Sequence, residues 1–69
     1  MKEVAVDDSE RLCAYDAFAE DVRREHAEIE AKMDELKAAG KVKSATYRQL
    51  FAARITLKDI ERRLREHGL

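Results

Sequence analysis

Basic and hydroxyl side chains cluster near the middle of the chain, in a segment without acidic residues. From Leu36 to Lys58 the sequence runs for 23 residues with no aspartate or glutamate. Cations and hydroxyls beside the free N–H groups of a helix start can bind phosphates. The alternative interpretation is structural, because lysines keep a turn hydrated and hydroxyls cap helices. The candidate anion or nucleic-acid contacts are Lys41, Lys43, Ser44, Thr46, Arg48, Arg54, Lys58 and Arg62.

His26 and Glu30 lie one helical turn apart, which is a spacing that could bind a metal or sense pH. A two-metal site in a helical bundle needs a glutamate three residues before a histidine on two helices, whereas residue 23 is arginine. We therefore interpret His26 as a polar residue that fixes the register of packed helices. No serine or cysteine has a histidine at a spacing typical of a nucleophile and its base. We expect no catalytic residue, no metal and no cofactor, and a protein that is not an enzyme.

The composition is typical of a small all-helical protein. The 69 residues include no proline and two glycines, with 42% charged and 45% hydrophobic residues. No segment resembles a signal peptide or a membrane span, and Cys13 is the single cysteine, so we expect a soluble, cytoplasmic protein without a membrane partner. A chain this short buries little apolar surface. Oligomerisation or very regular helix packing is then the expected source of stability.

The net charge of −1 conceals an asymmetry between the two halves of the chain. Residues 1–39 carry six basic and twelve acidic side chains, whereas residues 40–69 carry eight basic and three acidic ones. Either the halves pack together and their charges cancel, or the second half faces a polyanion. We favour the first interpretation.

A heptad pattern predicts a long first helix. Its seam alternates steps of three and four residues, as in coiled coils. Asp8 or Ser9 is expected to cap the start, and Gly40 to end the helix in a left-handed conformation. The seam positions are Leu12, Tyr15, Ala19, Val22, His26, Ile29, Met33 and Leu36.

The second helix has a wider apolar surface than one neighbouring helix can cover. Ser44 or Thr46 is expected to start it, and Thr46 with Gln49 three residues later fits a capping box. Because the turn is short, the helices should be antiparallel, with the numbers of facing residues adding to about 86. The seam is formed by Leu50, Ala53, Leu57, Ile60 and Leu64. Beside it lies a stripe that is first apolar and then basic, formed by Tyr47, Phe51, Ile55, Arg54, Lys58, Arg62 and Arg65.

The predicted fold is an all-α, antiparallel two-helix hairpin that self-associates into a four-helix bundle. Self-association is predicted because a lone hairpin leaves a set of apolar residues in water. Full burial of each such side chain would contribute ~1.5–3 kcal/mol of stability. The predicted oligomer interface consists of Leu12, Tyr15, Phe18, Tyr47, Phe51 and Ile55. The predicted segments are a flexible N terminus at 1–9 and a helical hairpin at 10–69, with a helix at about 10–39, a turn at 40–45 and a helix at about 46–66.

These patterns predict a small, non-enzymatic oligomerisation or interaction module of a regulatory kind. Its first expected partner is a second copy of the chain, in a homodimer. Any apolar stripe that the second copy leaves uncovered would accept a partner helix. The alternative function is binding of RNA or DNA through the basic turn and stripe. The sequence leaves open whether the hairpins dock parallel or antiparallel, and whether the assembly is larger than a dimer.

Overall fold

The computed structural model of the chain describes residues 7–69 and contains two helices joined by a short turn. Helix α1 spans Asp8–Ala38 and helix α2 spans Ala45–Glu66, and the two pack along one another. The predicted all-α hairpin is confirmed, with helix bounds within two residues of those expected. Neither helix among the described residues has a stretch long and apolar enough to cross a bilayer.

The start of α1 differs from the prediction. The carboxylate of Asp7 accepts a hydrogen bond of 2.8 Å from the N–H of Glu10, so Asp7 is the cap. Asp8 and Ser9, the predicted caps, already lie inside the helix. A capping residue needs an extended backbone, which Asp7 has at ψ 171°. Residues 8 and 9 of the predicted flexible segment are thus helical, and residues 1–6 lie outside the described residues.

The start of α2 resolves the choice between two hydroxyl residues. The Ser44 hydroxyl accepts a hydrogen bond of 3.1 Å from the N–H of Tyr47, and its backbone is extended at ψ 157°. Thr46 lies inside the first turn, so the predicted capping box with Gln49 is wrong. Ser44 is therefore the residue that satisfies a free N–H group at this end.

We expect Ser44→Ala to lower the free energy of unfolding by about 1 kcal/mol, because a helix start loses its cap. Thr46→Ala, the matched control two residues later, should have little effect or slightly stabilise the helix, because alanine has the higher helix propensity. Urea unfolding followed by circular dichroism measures both. A larger loss for Thr46→Ala than for Ser44→Ala would contradict the assignment of the cap.

Both helices end in the same glycine motif. Gly40 and Gly68 have φ angles of 73° and 81°, the left-handed conformation that glycine adopts without strain. After each glycine, the next N–H donates a bond of 2.8 Å to a carbonyl in the last turn, as from Leu69 to Leu64. This bond turns the chain back, so that Leu69 packs against the core.

The core of the hairpin is small. Among residues 7–69, no large side chain is fully buried. A cluster lies toward the end of the hairpin opposite the turn, which we call the open end. It joins Ala19 and Val22 of α1 to Leu57 and Leu64 of α2, with Ile29, Ile60 and Leu69 packed against it. The buried hydrophobic residues are Ala19, Val22, Met33, Leu57 and Leu64, all of them predicted seam positions.

The two helices meet close to the predicted register. His26 contacts Glu61, and Glu30 contacts Arg54. The residue numbers of these pairs add to 87 and 84, on either side of the expected 86. The two predicted seams therefore face one another, as the heptad spacing required.

Candidate interaction surfaces

A layer of charged side chains crosses the middle of the hairpin. The Nδ1 atom of His26 lies 2.7 Å from a Glu61 carboxylate oxygen, and its Nε2 atom lies 3.1 Å from Glu30. Arg54 approaches the other oxygen of Glu30 at 3.5 Å. Only an imidazolium can donate from both nitrogens, so that form of His26 would bond both carboxylates at once. The layer pairs fixed positions of the two helices, which supports a register-fixing role for His26.

Glu61 is the member of this layer that sequence reasoning missed. It follows Ile60, the residue that the predicted register placed opposite His26. A register offset of one residue would have found it. Heptad patterns identify apolar faces and say little about polar residues at their edges.

We expect Glu61→Ala to lower the free energy of unfolding by about 1 kcal/mol, because it leaves a half-buried imidazole without its cross-helix partner. Glu66→Ala is the matched control, since Glu66 is exposed and its one salt bridge within residues 7–69 is with Arg62 of its own helix. Exposed pairs of this kind contribute ~0.2–0.5 kcal/mol. Equal losses for the two variants in thermal melts would show that the layer does not stabilise the hairpin.

The remaining side chains that could bind a metal or act as a nucleophile do not form a site in the part of the chain that the structure describes. Across residues 7–69, no group of three or more histidine, cysteine, aspartate or glutamate side chains is arranged to hold a metal ion. The single cysteine, Cys13, is exposed. The surfaces that remain as candidate sites are apolar or basic.

The predicted oligomer interface is largely exposed, and it falls into two parts. At the open end of the hairpin, an open-end surface consists of Leu12, Tyr15 and Phe18. Near the turn, a turn-end stripe consists of Tyr47, Phe51 and Ile55. Five of these six side chains are between 43% and 57% exposed, and Tyr47 is half-buried. Val42 in the turn is also exposed, although it was not predicted to belong to an interface.

Two shallow grooves meet at Tyr15 on the open-end surface. One, of about 400 Å³, is lined by Arg11, Ala14, Tyr15 and Phe18. The other, of about 380 Å³, lies between the helices and is lined by Tyr15, Ile60, Arg63, Leu64, His67 and Leu69. Sequence reasoning missed the contribution of residues 67 and 69, because the glycine motif brings them back to the hairpin. Both grooves are apolar depressions with a basic side chain at the edge.

The turn-end stripe borders the charged layer. The Arg54 guanidinium carbon lies 4.9 Å above the centre of the Phe51 ring, a cation–π contact. The same guanidinium contacts Glu30 of α1. Phe51 is therefore held at the edge of the hairpin, with 43% of its surface still exposed.

Three of the predicted anion contacts gather around the turn. Lys41, Lys43 and Arg48 are exposed, and none forms a salt bridge within residues 7–69. The Ser44 hydroxyl is engaged, since it donates to the Lys41 carbonyl at 2.8 Å and also caps α2. Thr46 is exposed in the first turn of α2. The turn thus presents positive charge, with backbone and hydroxyl donors already partly used.

The basic stripe of α2 is partly neutralised by neighbouring carboxylates. Arg62 bonds Asp59 and Glu66 on its own helix, while Lys58 is exposed without a salt bridge in the described part of the chain. The Arg62 hydrogen bond lowers the pKa of the Asp59 carboxyl. A carboxyl whose pKa is lower in the folded chain than in the unfolded chain stabilises the fold when the pH is above its unfolded-state pKa, here 3.8. That contribution is lost as the pH falls through the pKa of the folded state. At neutral pH this cluster is therefore fully ionised and internally paired.

Comparisons of the chain with protein-family models, with curated proteins and with solved structures found no match. A function must therefore be argued from the exposed surfaces of the hairpin. Of these, the open-end surface and the turn-end stripe hold the largest exposed hydrophobic side chains.

Proposed function

We propose that the chain is a non-enzymatic helical module that self-associates, most simply as a homodimer in which two hairpins form a four-helix bundle. The observation that carries the proposal is the imbalance between buried and exposed apolar side chains. Of the five buried hydrophobics, one is an alanine and one a valine. The exposed hydrophobics include two aromatic residues at the open end and one beside the turn.

The accessible surface supports the same proposal. The chain exposes 5612 Å², whereas a compact monomer of 8.0 kDa would expose about 4,450 Å². The radius of gyration is 16.4 Å, against about 11 Å for a compact domain of 69 residues. A stable dimer removes about 800 Å² from each partner. The excess surface of this elongated hairpin is thus large enough to supply such an interface.

Molar mass in solution tests the proposal. Sedimentation equilibrium at micromolar concentration should give about twice the chain mass of 8.0 kDa. The thermal midpoint should also rise with protein concentration, because association stabilises only the folded chain. A chain mass that stays at 8.0 kDa, with a midpoint independent of concentration, would reject self-association.

Nucleic-acid binding is a second candidate, favoured by the exposed cations Lys41, Lys43 and Arg48 at the turn, which form no salt bridge with any described residue. It is second because the chain is slightly acidic, with a pI near 6.1, and because Arg54 and Arg62 already pair with carboxylates. Binding of a fluorescent oligonucleotide that weakens steeply with salt would support it. That binding should then disappear when the three turn cations are changed to glutamate. The first proposal expects no binding at physiological salt.

The proposal also includes a partner helix, which would bind any part of the turn-end stripe that the dimer leaves exposed. Apolar residues at helical spacing, such as Phe51 and Ile55, are the usual contacts for an amphipathic helix. The proposal also includes a cytoplasmic location, which a single exposed thiol at Cys13 favours.

A further inference from the structure

The two helices carry opposite net charges. Helix α1 holds ten acidic and five basic side chains, while α2 holds three acidic and six basic ones. Opposite charges on neighbouring helices can attract each other within one chain, or they can attract a second chain. Which of these applies depends on where the side chains meet.

Few of these opposite charges meet inside the hairpin. Within residues 7–69, the only cross-helix charged contacts are Arg54 with Glu30 and His26 with Glu61. The other salt bridges join residues three or four positions apart on one helix. The expectation that the two halves cancel across the hairpin is therefore met only at its central layer. Most of the acidic side chains of α1 and the basic side chains of α2 face outward.

Twofold symmetry allows two ways to dock the same face of two hairpins. If both turns lie at the same end, α1 of each copy lies beside α2 of the other. If the turns lie at opposite ends, α1 lies beside α1 and α2 beside α2. The first arrangement brings acidic and basic helices together, whereas the second places like charges side by side. Like-charge juxtaposition disfavours an arrangement.

The open-end surface favours the same arrangement. Helix α1 has 31 residues and α2 has 22, so the start of α1 extends beyond the end of α2. Leu12 lies on this extension, and Tyr15 lies where α2 ends, beside Leu64 and Leu69, with more than half of its surface still exposed. With both turns at one end, the two extensions meet at the other end and cover each other. With the turns at opposite ends, each extension lies beside the partner's basic turn, a contact that suits the acidic first turn of α1, so the preference for the same-end arrangement at this surface rests on its apolar side chains.

We infer that two copies of the chain dock with their turns at the same end, so that α1 of each copy packs beside α2 of the other. This inference rests on the proposed self-association and specifies its geometry. The surface involved is the side of the hairpin that carries Glu30, Arg54 and Phe51, together with Leu12, which lies five helical turns before Glu30 and therefore on the same side of α1. The occupant of that surface is a second copy of this chain, selected by complementary charge.

The distance between the two copies of Cys13 tests this geometry without any substitution. Cys13 is the single cysteine, is exposed, and lies near the open end, so a nitroxide spin label can be attached to it directly. With the turns at the same end, the two α1 axes are about 14 Å apart across the bundle, given neighbouring axes 8–10 Å apart. Double electron–electron resonance should then give label distances below about 30 Å. With the turns at opposite ends and the start of α1 beside the partner's turn, the helix rise separates the labels by about 40–45 Å.

A second label position guards against an effect of the first. In Cys13→Ser with Lys43→Cys, the labels lie at the turns, and the same-end geometry again gives a short distance. Short distances from both positions support the inference. Long distances from both, in a protein with twice the chain mass, overturn the geometry and leave self-association standing. A protein that shows no dipolar coupling and has the mass of a single chain overturns self-association itself, and the geometry with it.

Discussion

If the chain forms the proposed dimer, changing both Phe51 and Ile55 to aspartate should convert it into a monomer that keeps its helices. The two side chains are 43% and 54% exposed in the single hairpin, so roughly half of their transfer free energy remains to be gained on association. Full burial of such a side chain is worth ~1.5–3 kcal/mol, and a symmetric dimer loses four of them. The expected cost of about 3–6 kcal/mol raises the dissociation constant by a factor of about 100 or more.

A matched pair of substitutions separates this effect from a general effect of added charge. Ala52→Asp with Thr56→Asp introduces the same charges at the same spacing of four, on exposed positions of the same helix. Sedimentation should show the control as a dimer and the Phe51 and Ile55 variant as a monomer, with similar helix content by circular dichroism. If both variants remain dimeric, the turn-end stripe is not part of the interface. If both dissociate, charge and not apolar contact explains the result.

Leu57→Ala should destabilise the hairpin more than any surface substitution. Leu57 is 7% exposed and joins α2 to Val22 and Ala19 of α1 in the main cluster. Removing a buried leucine side chain costs ~2–5 kcal/mol, and the cluster is small, with few other residues to compensate. We therefore expect a large loss of helix signal near room temperature, because a helix of this length needs tertiary packing to persist.

Thr56→Ala is the control for this prediction, since it creates the same residue one position earlier on the exposed side of α2. Alanine has the higher helix propensity, so its thermal midpoint should stay the same or rise slightly. Both variants are compared with the original chain at one fixed protein concentration, because the proposed self-association would contribute to the midpoint. An unchanged midpoint for Leu57→Ala would mean that the cluster does not hold the two helices together.

The features that the sequence predicts correctly are local ones. Steps of three and four residues selected every buried position of the core, because the helical period alone decides which side chains share a face. Gly40 marked the end of α1, because the left-handed conformation there suits glycine. The caps were harder to choose, since Asp7, Asp8 and Ser9 can all accept a backbone hydrogen bond. The cap is the last residue with an extended backbone before the helix begins, and the sequence does not show which of the three residues that is.

The two helices, the turn and the apolar faces follow from local sequence, because each depends on residues within a few positions of one another. Three contacts follow only from the packing of the two helices. Glu61 meets His26, Arg54 covers Phe51 while reaching Glu30, and Leu69 returns to line a groove with Tyr15. These contacts depend on the rotation and sliding of one helix against the other. A shift of a single residue, about 1.5 Å, changes which polar side chains meet while leaving the apolar seams in contact.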